Sequence, residues 1–304
     1  MTIVLLSTYN GEKYLKEQLD SLFTQTYNNI KVIVRDDGSS DKTLEILKSY
    51  NVHLLESHKN IGVKKSFSLL LEYAIKYSDG NYFMFCDQDD IWKKDKVEKT
   101  LQKMRELESQ YKDTSLLVHT DLEVVDDSLH ILNESFWKHE YINPNINSFN
   151  RLLLQNTITG CTVMINRNLA SLLLPIPNDS IMHDWWIGLV ASKFGKIDFI
   201  NDRTILYRQH ATNSIGAKGF SYLSVLMKFY KIFSKNELYL KINIIQAKAF
   251  LDIYKNILDK DTIEILEEFS TIESSSFWQK RKILLKYKLL KQGFLRNIGA
   301  MVKI

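Results

Sequence analysis

The stretch Tyr82-Phe83-Met84-Phe85-Cys86-Asp87-Gln88-Asp89-Asp90-Ile91-Trp92 decides how this chain is read. A short apolar run that stops abruptly in acids has the pattern of a buried strand whose C-terminal end opens onto a site. Three carboxylates within four positions, Asp87, Asp89 and Asp90, repel one another unless a cation offsets them. Hard divalent ions such as Mg2+ or Mn2+ prefer carboxylate oxygens and bridge to phosphates. The stretch thus reads as an Asp-x-Asp metal site holding a nucleotide diphosphate, or as a solvated acidic turn. On these residues alone both readings stand.

Working outward, strand and helix signals alternate through the first half. Ile3 to Ser7, Ile30 to Val34, Val52 to Leu55 and Tyr82 to Cys86 are short apolar runs. Between them Leu15, Leu19, Leu22 and Phe23, then Leu44 and Leu47, then Phe67, Leu70, Leu71 and Ala74 recur at helical spacing, and Val97, Leu101 and Met104 do so after the acids. Such alternation with short connections predicts an α/β fold with a mostly parallel sheet covered on both faces. Ligands of open parallel sheets sit beyond the C-terminal strand ends. Ser7 to Asn10, Asp36-Asp37 and Asp87 to Asp90 all fall there. Further on, Ser115 to His119, Thr162 to Ile165 and Ile197 to Ile200 read as strands and Asp184 to Phe194 as a helix; beyond Gly219 the pattern is helical throughout.

The chain has 304 residues, 45% of them hydrophobic, enough for one sizeable core and an appended region. No window holds the roughly 18 uninterrupted apolar residues of a spanning helix. Met1 to Leu6 runs straight into a strand pattern without a charged leader, which argues against a secretory signal. Cys86 and Cys161 lie in apolar runs and read as buried thiols of a reducing cytoplasm. The net charge of +4 is uneven: residues 1–217 hold 24 Lys/Arg against 28 Asp/Glu, and residues 218–304 hold 16 against 8. No acid follows Glu273, while Lys280, Arg281, Lys282, Lys286, Lys288, Lys291, Arg296 and Lys303 interleave with apolar side chains. Such a basic amphipathic run suits an anionic membrane surface or a partner protein, or else a helix packed on its own domain with a solvated basic face. No nucleic-acid-reading motif accompanies the charge.

Ser7-Thr8-Tyr9-Asn10-Gly11-Glu12, Arg35-Asp36-Asp37-Gly38-Ser39-Ser40-Asp41 and Asp87-Gln88-Asp89-Asp90-Ile91-Trp92 together resemble glycosyltransferase family 2. His183-Asp184-Trp185-Trp186 and Tyr207-Arg208-Gln209-His210 resemble its bacterial rhamnosyltransferase-like branch. The resemblance implies a GT-A, Rossmann-like catalytic domain over residues 1–216, followed by a basic helical region over 217–304. It implies an inverting transfer of a sugar, rhamnose-like or of galactose or glucose type, from a UDP- or dTDP-sugar. The acceptor would be a glycan or lipid-linked in surface polysaccharide synthesis, or a glycoprotein adhesin; a non-catalytic scaffold subunit is the alternative of another class. The cofactor would be Mn2+ or Mg2+ and the location the inner membrane face, with a homo-oligomer left open.

Carried onto this sequence, Thr8, Tyr9 and Glu12 would line the nucleotide pocket, and Asp36 or Asp37, the latter favoured, would accept from the base N3–H. Asp87 would approach ribose and metal. Asp89 would ligate the metal, with His210 near it. Arg208, Trp185 and Trp186 would meet the diphosphate or acceptor, and Asp184 would be the catalytic base. The chemistry asks for these parts independently: a sugar hydroxyl needs a carboxylate to take its proton, and the departing diphosphate needs neutralisation. Each residue also has a plain structural reading. Asp184 can cap its helix, Asp37-Gly38-Ser39 can be a turn, and His183 and His119 can be core histidines. Ser66 stands where many relatives carry Asn, which puts sugar specificity in doubt if that position touches the donor.

Overall fold

The computed structural model describes residues 1–210 and 240–304. The first part of the helical pattern expected beyond Gly219 and the 216/217 boundary lie outside the described residues. Four strands, β1 (Thr2–Thr8), β2 (Ile30–Asp36), β3 (His53–Leu55) and β4 (Tyr82–Cys86), pair in parallel in the order β3-β2-β1-β4. Helices α1 (Leu15–Phe23), α2 (Thr43–Lys48) and α3 (Val63–Tyr77) make the crossovers, and α4 (Lys96–Gln110) follows a two-residue strand, β5 (Ile91–Trp92). Period-two alternation sorts each strand between two cores. Ile3, Leu5, Phe83 and Phe85 point to one face; Val4, Leu6, Met84 and Cys86 point to the other. Continuous apolar runs are what a strand buried on both faces requires.

Beyond β4 the sheet becomes mixed. The next strands are β6 (Ser115–Val125), β7 (Ile131–Asn133), β8 (Met164–Asn166) and β9 (Gly195–Arg208). β8 lies antiparallel between β4 and β6, and β9 runs parallel to β6 and antiparallel to β5. The short runs read at Ser115 to His119 and Ile197 to Ile200 are thus the first halves of longer strands. Their second halves, with Asp121, Glu123, Asp202 and Arg203, break the apolar pattern and hide the continuation. The length of β9 matters: it brings Arg208 and His210 back to the acidic loop after β4.

Short helices α5 (Phe136–His139), α6 (Phe149–Leu152) and α7 (Arg167–Leu172) lead to α8 (His183–Phe194), which carries Asp184 at its first turn. The C-terminal helices α9 (Lys241–Tyr254), α10 (Lys260–Ser270), α11 (Phe277–Lys286) and α12 (Phe294–Lys303) pack on the same domain. Ile244, Phe250, Leu266, Phe269, Leu284 and Leu289 join Trp186 and Leu152 in one apolar cluster. Buried amides seal this contact: Asn243 Nδ2 donates to the Leu153 carbonyl at 2.7 Å, and Gln246 Oε1 accepts from the Ile181 amide at 2.8 Å. The run after Trp278 is two helices, broken where Lys288 and Gly293 adopt positive φ. Among the described residues no helix is long and apolar enough to cross a membrane. Cys86 and Cys161 are buried free thiols.

Candidate active site

The loops after β1, β2 and β4 meet at the C-terminal edge of the parallel strands and are tied to one another by side-chain to backbone bonds. Gln88, between the acids, holds Tyr9 at both ends: its Oε1 accepts from the Tyr9 amide at 2.8 Å and its Nε2 donates to the Tyr9 carbonyl at 3.0 Å. The clamp needs Gly11, since a Cβ there would lie 2.4 Å from Gln88 Oε1. Tyr9 itself stays exposed, as a stacking surface for a base or ribose must.

The other predicted nucleotide residues prove largely committed to the fold. Asp36 is fully buried and accepts from Thr8 Oγ1, Ser39 Oγ and the amides of Gly38 and Ser39 at 2.5 to 3.1 Å. With four donors in place it shapes the turn and offers no edge to a base, which corrects its assignment to base recognition; Thr8, 1% exposed, shares that inward role. Asp37, 2% exposed, pairs with Arg35 and accepts from the amides of Ile61 and Gly62, so it anchors the following loop. Glu12 caps α2 by accepting from the Lys42 amide at 2.9 Å. Ser66 is buried and accepts from Arg35 at 2.7 Å, the guanidinium that also pairs with Asp37.

The acid run divides into an inner and an outer part. Asp90 is fully buried, accepts from the Arg208 amide at 3.1 Å, and is pushed well above the usual carboxylate range by burial and by Asp89 and Asp87. Beside it lies Lys96, also fully buried and without a hydrogen-bond partner among the described residues. Burial lowers its ammonium to about 8, while Cys161, Cys86 and Asp90 favour the charged form. Lys96 is a buried amine near the inner acid and not bonded to it. Its signal was present in the sequence: it stands one turn before Thr100 on the face that Val97, Leu101 and Met104 bury.

Asp87 and Asp89 are half-buried and face outward with Asp184. Burial, then Asp89, then Asp184 push Asp87 up to about 7, the mark of carboxylates crowded around one space. Asp89 Oδ2 lies 2.9 Å from His210 Nε2, and the His210 ring packs on Tyr14 with centroids 4.8 Å apart. Carboxylate oxygens with an imidazole nitrogen form a donor set suited to Mn2+ or Mg2+, so the residues fit the divalent ion the family implies. A second grouping, Asp87, Asp90 and Cys161, also brings three ligand atoms within 4.8 Å of one another, deeper in the fold.

Arg208 stands behind this site. It is 2% exposed, donates to the carbonyls of Asp89 at 3.0 Å and Asp127 at 2.7 Å, pairs with Glu17, and lies 4.5 Å from the centroid of the Tyr14 ring. Its expected contact with the diphosphate is thereby corrected: its guanidinium is spent on holding the acidic loop after β4. No sequence pattern announces Asp127 or Glu17 as its partners.

Asp184 sits in the first turn of α8, where the helix dipole favours an anion. Its carboxylate accepts from the amides of Trp185 at 2.6 Å and Gly160 at 3.2 Å, with Asn156 alongside. Burial outweighs these and raises its pKa to about 6. Trp186 is fully buried against Phe250 and Tyr254, so it cannot meet an acceptor; the sequence does not show which of two adjacent tryptophans turns inward. Trp185 is half-buried and fixed by Nε1 donating to the Leu152 carbonyl at 2.5 Å. His183 is a core residue, its ring 4.2 Å from that of Phe67. Lys64 bonds to the carbonyls of Asn178 and Ser180, tying α3 to the loop before Asp184.

Comparison with known proteins bears on this arrangement. The dTDP-rhamnosyl transferase RfbG of Shigella flexneri is 26% identical over 295 residues, 91% of this chain and 94% of that protein. The putative teichuronic acid biosynthesis glycosyltransferase TuaG of Bacillus subtilis is 30% identical over 200 residues, 63% of this chain and 72% of that one. An uncharacterised glycosyltransferase of Rickettsia typhi is 32% identical over 162 residues; the chain spans about half (49%) of its length. Among solved structures, S. aureus TarS 1-349 in complex with UDP-GlcNAc matches 94% of this chain and 80% of its own, at a TM-score of 0.50 and 21% identity. The same TarS fragment in complex with UDP matches at 0.53 and 18%. At those identities the likeness speaks for the GT-A fold alone. The model of the family described as "Glycosyl transferase family 2" matches residues 3–170, more than half of the 304 residues, and the chain belongs to that family.

Proposed function

We propose that this chain is an inverting, metal-assisted glycosyltransferase that moves a sugar from a dTDP- or UDP-sugar to a glycan or lipid-linked acceptor of a surface polysaccharide. The observation that carries this reading is the convergence of Asp87, Asp89 and Asp184 on one edge of the sheet, with His210 on Asp89. The names of RfbG and TuaG support a polysaccharide product, and that of RfbG a dTDP donor and a rhamnose-like sugar.

Asp184 is the base. A carboxyl held near 6 is ionised at neutral pH yet more basic than an ordinary one, which favours taking the acceptor hydroxyl proton as the new glycosidic bond forms. Asp89 and His210, with Asp87, would hold the divalent ion, which neutralises the departing diphosphate as a Lewis acid. Tyr9 offers the nucleotide a stacking face. One displacement at the anomeric carbon inverts its configuration and needs no protein nucleophile.

The test is a nucleotide-release assay with Mn2+ or Mg2+ and a panel of UDP-, dTDP- and GDP-sugars, with Asp184→Asn and Asp89→Ala in parallel. Metal-dependent turnover of one donor, lost in Asp89→Ala, is the expected result. Failure both to turn over and to bind any nucleotide would overturn the reading in favour of a scaffold subunit.

A further inference from the structure

The transfer site leaves the outward faces of α11 and α12 without a role. Their inner faces are used: Leu284 and Ala300 are buried, as are Tyr287 and Leu289 in the connection between them. The helices are joined where Arg281 donates to the Met301 carbonyl. Outward, Trp278 is 77% exposed and Phe294 78%, with Phe277, Leu285 and Val302 also exposed. Large apolar side chains grouped in this way mark a contact surface rather than ordinary surface scatter.

The charges among them choose the partner. Trp278, Lys282 and Leu285 follow one another at helical spacing, so an exposed lysine stands between two exposed apolar residues on one face of α11. Lys288 is exposed just beyond, and Phe277 carries the Arg281 guanidinium 3.2 Å above its ring. Lys286 is spent internally, on Glu264 and Glu268. No acid occurs after Glu273, so nothing on these two helices offsets the positive charge. Aromatic rings mixed with lysines on the outward side of amphipathic helices match an interface of apolar depth under anionic headgroups.

We infer that α11 and α12 form a docking face for an anionic lipid surface, with Trp278 and Phe294 entering the headgroup boundary and Lys282 and Lys288 meeting the phosphates. The inference goes beyond the transfer reaction and stands without it.

The experiment is co-flotation of the full chain with vesicles of phosphatidylcholine alone and of phosphatidylcholine mixed with phosphatidylglycerol. The wild type should float with the anionic vesicles only, and less so as salt is raised. Each of Lys282→Ala and Lys288→Ala should weaken partitioning about fivefold. The pair Trp278→Ser with Phe294→Ser should abolish binding and the blue shift of tryptophan emission that accompanies it. All four side chains are outside the core, so thermal unfolding should match the wild type. Equal binding to neutral vesicles, binding that survives the double substitution, or no binding would each overturn the inference. So would a concentration-dependent dimer, lost in Phe294→Ser, without lipid binding; the face would then belong to a second copy of the chain. None of these readouts needs a donor or an acceptor, so a negative result leaves the transfer reading untouched.

Discussion

Lowering the pH from about 7.5 to about 5 should destabilise the wild-type fold by about 2 kcal/mol more than it destabilises a His119→Phe variant. His119 lies on β6, 1% exposed, its ring against Trp137 and Phe199, and neither ring nitrogen has a partner among the described residues. Burial lowers its pKa from 6.5 to about 4, against a weak opposing pull from Asp198. The folded pKa is depressed, so the unfolded chain binds the proton first. The stability of the neutral imidazole is fully present above pH 6.5 and is lost as the pH falls toward 4. The difference of about 2.5 units corresponds to about 3 kcal/mol in full, of which about 2 are reached at pH 5. Asp87 and Asp184 titrate in the same window with the opposite sign, because their folded pKa values are raised. They are common to both proteins and cancel in the comparison. Phenylalanine removes two unpartnered nitrogens, so no hydrogen bond is lost, and any overpacking by its larger ring acts equally at both pH values. Urea unfolding followed by tryptophan fluorescence at the two pH values measures the difference. A change below about 0.5 kcal/mol, or one of opposite sign, would show that the imidazole is solvated or partnered and the reasoning wrong.

Transfer by the wild type should fall about tenfold from its plateau by about pH 5 at saturating metal, because Asp184 acts ionised and its raised pKa of about 6 removes that form as pH falls; a flat profile down to that pH excludes Asp184 as the base. Gly160→Ala should lower kcat about a hundredfold with little change in donor affinity, since the new Cβ would lie 2.8 Å from His183 Nε2 and 3.4 Å from Asp184 Cβ, and small displacements of a base are costly; kcat and KM measured separately check this. Arg208→Met should cost about 3 kcal/mol in urea unfolding and raise the metal concentration needed for activity, because the carbonyls of Asp89 and Asp127 lose their donor; unchanged metal dependence would remove its role in holding the site.

The parallel half of the sheet was legible because each strand is an uninterrupted apolar run closed by polar residues, and Tyr82–Cys86 was read to the residue. Strand direction beyond β4 was not. Met164–Asn166 has the same local pattern whether it runs with its neighbours or against them, and only the path of the chain sets it antiparallel between β4 and β6. The same limit governs the site. Composition and spacing marked the three loops, but not which way each side chain turns. Asp36 and Arg208 are charged residues in the right loops, and both are held by partners within the chain. Gln88, whose clamp on Tyr9 sets the pocket wall, has no signal beyond its place between two acids.

That division between inward and outward groups explains why the acid run is tolerable. Three full charges after β4 would repel strongly at low dielectric. Asp90 is withdrawn beneath the surface, where burial and its neighbours Asp89 and Asp87 favour its uncharged form and the Arg208 amide supplies a donor. One acid is thus settled in the fold itself. Asp87 and Asp89 remain, with Asp184 across from them, and among these three only Asp89 faces an imidazole. Their repulsion is left for a bound cation to relieve. A site arranged in this way would be strengthened by the divalent cation proposed above, because the burial that raises Asp87 leaves the repulsion among the outer acids unrelieved.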